Sequence, residues 1–296
     1  MNAMFEEIDR DRRRIFATAA VAVATAQFGI PTFADARPRQ AKHGLERIAE
    51  MSGSDATSPT IVLVHGAWAD GSSWDRVMAL LQAQGLKTMA APIPLTSLSD
   101  DVAALERALE RTSGAVVLVS HAYSGAVIGA CHNERVRSLV FITSLTPDEG
   151  ETVANVFYRG KPDPHAPNLK PDRHGYLWIP TDEFGAGWCQ NASPEETALL
   201  AATQRPISLA CIKEKAPKPA WRGKPSWYLV AEEDRMINPE TQRFLAGRMG
   251  AQTRSEKVDH AVLITAPKVV ARIISDAVSS LAADPSEKRS SAPQHG

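Results

Sequence analysis

Three side chains, Ala122, Asp234 and His260, follow one another where the chain leaves apolar runs. Ala122 lies in Val116–Ile128, where a β-branched run passes through small residues into a stretch able to be helical, which reads as strand, sharp turn and helix. That layout carries a nucleophile on a strained backbone, and it needs small residues two positions to either side. Ser120 and Ser124 meet this need. A methyl group stands at Ala122 where a hydroxyl is expected, and without a lone pair it forms no acyl-enzyme.

The elements that must position these residues alternate between strand and helix. Thr60–Val64 reads as a strand buried on both faces and runs into the loop His65-Gly66-Ala67-Trp68. Trp74, Val77, Met78 and Leu81 recur at helical spacing before Gly85, and Lys87–Ala91 supplies the next strand. Ser99 is expected to cap a helix whose first turn holds Asp100 and Asp101. Ser138–Ile142, Ser226–Val230 and Arg254–Val258 read as further strands, Asn238-Pro239 as a helix start and Pro267 as the opening of the last helix. The pattern predicts an α/β fold with a mainly parallel twisted sheet and helices on both faces. Its ligand end collects Ala122, Asp234 in the loop before Pro239, and His260.

Residues 146–221 break the alternation and read as a cap insertion over that end. Ser193-Pro194-Glu195-Glu196 fits a capping box with proline at the first helical position. The cap aromatics, Trp178 among them, either line an apolar pocket or form the cap's own small core; Trp68 and Trp178 are candidates for substrate contact.

The chain has 296 residues, 44% of them hydrophobic, and a formal charge of −1, which suits one large core and gives no basic stripe for nucleic acid. A small molecule is the expected partner. Cys131, Cys189 and Cys211 lack zinc-site spacing, so no metal or other cofactor is expected; Cys189 and Cys211 either pair or, with Cys131, are three unrelated core thiols. Arg12-Arg13-Arg14 before an apolar run, with Ala34-Asp35-Ala36 after it, resembles a twin-arginine export signal over 1–36. Cleavage there leaves no membrane anchor and predicts a periplasmic or secreted protein. A linker at 37–57, a domain at 58–283 and a loose tail at 284–296 complete the organisation.

Leu63–Trp68, the turn at Ala122, Asp234 before Pro239, and His260 together resemble the α/β-hydrolase fold superfamily, in the style of small esterases grouped with methylesterases and hydroxynitrile lyases. The resemblance implies His260 as base and Asp234 as its orienting acid, with Glu232 and Glu233 as substitutes. It also implies an oxyanion hole from the backbone N–H groups of Ala67 and Tyr123, and shaping roles for His121 and His65. Three readings follow from alanine at position 122. Water activated by His260, or a hydroxyl from Ser120 or Ser124, replaces the serine in a hydrolase; a lyase-like or proton-abstracting catalyst keeps the base and the hole; or the pocket binds without turnover.

Overall fold

The computed structural model describes residues 58–283. The expected export signal, linker and tail lie outside the described residues.

Six strands form one parallel sheet. In chain order, β1 (Thr60–Val64) leads to α1 (Asp75–Gln82), β2 (Lys87–Ala91), α2 (Leu98–Leu109), β3 (Val116–His121), α3 (Ser124–Gly129) and β4 (Val136–Ile142). After the intervening segment come β5 (Ser226–Ala231) and β6 (Gln252–Glu256), and the sheet order is β2-β1-β3-β4-β5-β6. The chain steps outward from β1 to β2, then returns across β1 to β3. Right-handed crossovers therefore place α1 and α2 on opposite faces, and the carboxyl ends of β1 and β3 form the switch point where such sheets bind ligands. β3 is buried along its whole length and, in register with β1, pairs Ser120 with Val64, so His121 and Ala122 project just past the end of β1.

Local chemistry corrects three expectations. Ser97, not Ser99, caps α2: its backbone is extended and its hydroxyl accepts from Asp100 N–H, whereas Ser99 lies within the first turn. β6 runs Gln252–Glu256, earlier than Arg254–Val258, because Val258 N–H turns back onto the Glu256 carbonyl and sends the chain inward to His260. Ser193 caps the helix at 194–203 through Glu196 N–H, but no reciprocal bond completes the box among the described residues; the Glu196 carboxylate pairs with Arg76 at 2.6 Å instead.

The segment between β4 and β5 holds α4 (Val153–Phe157), α5 (Thr181–Trp188), α6 (Pro194–Thr203) and α7 (Leu209–Lys213), with a short antiparallel pair, Tyr176–Leu177 against Ile207–Ser208. Trp68 N–H donates to the Arg205 carbonyl and Ser208 N–H to that of Leu95, which fastens the segment to the loops after β1 and β2. α8 (Pro239–Met249), α9 (Val262–Thr265) and α10 (Pro267–Ala283) close the fold, with α10 packed on α1 and β4. All three cysteines are buried free thiols, so the Cys189–Cys211 pairing does not form. No helix of the described residues is long and apolar enough to cross a membrane.

Candidate active site

Trp68, Leu95, Ala122 and Thr143 have φ of +59°, +61°, +51° and +44°, and they are the non-glycine residues in the left-handed region among those described. Each follows one of β1 to β4. Side chains pay roughly 1–2 kcal/mol for that conformation, and its clustering at one end of the sheet marks a place where backbone direction matters. At Ala122 the N–H donates to the Ile142 carbonyl and the C=O accepts from Leu145 N–H at 2.9 Å, fixing the turn between β3 and α3. Gly66 lies flush against it: a Cβ there would fall 3.0 Å from the His121 carbonyl oxygen and 3.2 Å from the Ala122 methyl.

The two serines flanking the turn bond to structure. Ser120 Oγ is 2.9 Å from Ser144 Oγ, and Ser124 Oγ accepts from His121 N–H while lying 2.8 Å from the Val64 carbonyl. Both are fully buried, and neither lines the cavity described below.

Asp234 and His260 come together at the ends of β5 and β6. His260 Nδ1–H donates to Asp234 Oδ2 at 2.8 Å, which leaves the ring's Nε2 as the unprotonated atom in the neutral form. Gln242 Nε2 donates to the same oxygen at 2.9 Å, and Met236 and Ile237 N–H both donate to Oδ1 at 2.8 Å. Four donors thus compensate a carboxylate that is only 3% exposed. Gln242, a fully buried polar residue on α8, was not singled out from sequence; a glutamine four residues past the Asn238 cap gives no distinguishing signal. Glu232 is instead engaged by Arg243 at the surface.

His121 links the turn to this pair by donating Nε2–H to the His260 carbonyl at 2.9 Å, with ring centroids 4.9 Å apart. Burial, then the neighbouring His260, lowers its pKa to about 3. His65 accepts from Ile93 N–H at Nε2 and donates Nδ1–H to the Gly66 carbonyl; burial lowers it to about 4. Both rings therefore stay neutral and shape their loops.

Asp101, read from sequence as part of the negative charge in the first turn of a helix, is fully buried. It accepts from Leu95 N–H at 2.7 Å and from the Tyr123 hydroxyl at 2.7 Å, and burial raises its pKa to about 6. A folded-state pKa above the unfolded value means the folded state binds the extra proton between about pH 4 and 6, so this group's contribution to stability rises as pH falls through that window. His65 and His121 act in the opposite sense, since their depressed pKa values cost stability below about pH 6.5. Comparing wild type with Asp101→Asn separates the two. The wild-type advantage in Tm is expected to grow between pH 7 and pH 5, and a constant difference would refute the assignment.

An apolar cavity of about 520 Å³, mouth included, opens over Ala122 and His260. Ala67, Trp68, Tyr123, Leu145 and Met236 are among its other walls. Its polar wall atoms are mostly engaged: Trp68 Nε1–H donates to the Leu177 carbonyl, and the Tyr123 hydroxyl to Asp101. Trp178 is not in the wall; it stands 45% exposed with its indole N–H directed to Asp172. Phe157, Tyr158, Leu169 and Leu177 are among the cap residues that reach the cavity. The described residues hold no cluster of His, Cys, Asp or Glu able to bind a metal ion.

A model of the alpha/beta hydrolase family matches residues 61–273, most of the described chain. The chain belongs to this family. Salicylic acid-binding protein 2 of Nicotiana tabacum is 26% identical over 241 residues, covering 70% of this chain and 92% of that protein. Among solved structures, a pyrethroid hydrolase from Sphingobium faniae JZ-2 superposes with a TM-score of 0.67 at 22% identity, over 78% of this chain and all of the other. A variant of tomato methylketone synthase I, complexed with beta-ketoheptanoate, gives 0.63 at 18%, over 76% and 99%. Hydrolase-family members of this kind thus share the parallel sheet and the helices on its two faces.

Proposed function

We propose that this chain is an enzyme acting on a small apolar ester or other carbonyl compound, with His260 as base and Asp234 as its orienting acid. Ala122 occupies the nucleophile position, and the N–H groups of Ala67 and Tyr123 form the oxyanion hole. The observation that carries this reading is the 2.8 Å bond from His260 Nδ1 to Asp234, under a cavity that His260, Ala122, Ala67 and Tyr123 all line. Neither N–H is used by a loop or cap backbone bond among the described residues. With an ester bound, His260 Nε2 takes a proton from water as its oxygen bonds to the carbonyl carbon. The resulting oxyanion rests on the two N–H groups, and as the C–O bond breaks His260 returns the proton to the departing alcohol.

A second reading is favoured by the cavity's shortage of free polar groups, which leaves little to hold an attacking water. The same base and hole serve removal of a proton next to a carbonyl, or cleavage beside it, without water. The presence of beta-ketoheptanoate in a structure of the same fold agrees with a carbonyl ligand. Export through the 1–36 segment would place either reaction in the periplasm or outside the cell.

The test is turnover of esters, lactones, hydroxy-carbonyl compounds and β-keto acids in ¹⁸O-water, with the native chain and with Ala122→Ser. Label in the acid product, without a burst of alcohol, is expected for direct water attack. Ester hydrolysis that appears only in Ala122→Ser would point to the non-hydrolytic reading. Ligand binding without turnover in both proteins would overturn catalysis in favour of a binding protein.

A further inference from the structure

The cavity over Ala122 is bordered by a second one. Phe157, Tyr158, Leu169 and Met236 line both, and the outer compartment, about 670 Å³ with its mouth, is completed by Lys161, Asn168 and Asn238 among others. Its chemistry differs from that of the inner one. The inner wall is apolar apart from His260, the engaged Trp68 indole and Tyr123 hydroxyl, and the exposed Tyr158, whereas Lys161 and Asn168 line the outer wall, with no carboxylate among its lining residues.

The outer wall is also a built surface. Asn238 Nδ2–H donates to the Lys161 carbonyl at 2.8 Å, and a Cβ at Gly160 would fall 2.8 Å from Thr241 Oγ1, so the chain at 160–161 is seated on the start of α8. Asn168 N–H donates to Glu183 on α5 at 2.7 Å. Between the compartments, Phe157 meets Tyr158 edge to face at 4.9 Å, and Tyr158 is 60% exposed. That side chain can swing aside at little cost in buried area.

We propose that the site takes a two-part substrate: a compact apolar group bearing the carbonyl in the inner cavity, and an oxygen-bearing, hydrogen-bond-accepting group in the outer one, joined past Phe157, Tyr158, Leu169 and Met236. This rests on the reading of the inner cavity as a carbonyl site. The outer group is an acceptor because Lys161 is a cation and the side chain of Asn168 carries an amide NH₂, while the Asn238 amide is already held by the Lys161 carbonyl and Glu240 N–H; a carboxylate tail fits best.

The test uses ketones, which bind without being hydrolysed. Affinities of a short apolar ketone and of the same ketone extended by a chain ending in a carboxylate are measured calorimetrically on the full chain. The extended ketone is expected to bind about tenfold more tightly, the worth of a further buried segment and one charge-assisted contact. Lys161→Ala should remove most of that gain, and Asn168→Trp, at an exposed position that fills the outer compartment, should remove all of it. Equal affinities in the wild type, or a gain that survives Asn168→Trp, overturns the proposal. A gain that behaves as expected in a chain with no turnover of any ester or keto acid would leave the two-part site standing and overturn only the catalytic reading.

Discussion

Replacing His260 with alanine is expected to lower kcat/KM on any substrate the cavity turns over by roughly 10²–10⁴-fold, the range for loss of a positioned general base. The fold should survive. Asp234 keeps Met236 N–H, Ile237 N–H and Gln242 as donors after the imidazole is gone, so the buried carboxylate retains three of its four partners. The companion variant Asp234→Asn is the sharper probe. Asp234 Oδ1 accepts two backbone N–H groups, so the new amide must keep its oxygen there and turn its NH₂ toward His260 and Gln242. A donor then faces Nδ1, the imidazole moves its proton to Nε2, and the lone pair aimed at the cavity is lost, while the same NH₂ replaces the oxygen that accepted from Gln242 and costs that bond too. Both variants should therefore lose activity to a similar degree, measured as kcat/KM beside a melting curve. Activity within a factor of about ten of wild type in both would remove His260 and Asp234 from the chemistry, since that is below the least a general base supplies.

How much of this was legible in the sequence depended on whether the signal was local. β1 and β3 are continuous apolar runs, and α8 and α10 open on proline after a polar residue or a small one, so their bounds follow from neighbouring residues. β6 has an alternating and largely exposed sequence at the sheet's edge, where pattern fixes register poorly, and its observed bounds lie two residues earlier. Asp234 and His260 could be placed because each stands just past a strand of the sheet. Asp101 could not, because its burial depends on Tyr123 and Leu95 from other elements, and its position in a first helical turn looked like ordinary helix-dipole chemistry. Trp178 failed for the same reason in reverse. Aromatic character alone does not say which way a cap residue faces, and the cap's geometry is decided by its attachments at Trp68, Leu95 and Arg76.

The turn at Ala122 makes its strongest demand at a residue the spacing argument did not stress. Small residues two positions away, Ser120 and Ser124, satisfy it through hydrogen bonds, but the tightest approach is at Gly125. A Cβ there would lie 2.5 Å from the Leu145 carbonyl oxygen, 2.7 Å from Ser144 Cβ and 3.1 Å from the Leu145 carbonyl carbon. Backbone atoms cannot rotate out of the way as a side chain does, so Gly125→Ala must push α3 away from the segment after β4. That movement strains the bond from Leu145 N–H to the Ala122 carbonyl and shifts Leu145, which lines the cavity. Overpacking of this kind costs about 1–3 kcal/mol, and the clash with a carbonyl places it at the upper end, a fall in Tm of roughly 6–12 °C for a domain of this size. Gly247→Ala on α8 is the control: nothing lies within 4 Å of its Cβ, and removing a helical glycine should stabilise by about 0.5–1 kcal/mol. A Gly125→Ala chain that melts with the wild type would show that α3 does not abut Leu145, and the close-packed turn that holds Ala122 beneath the cavity would fall with it.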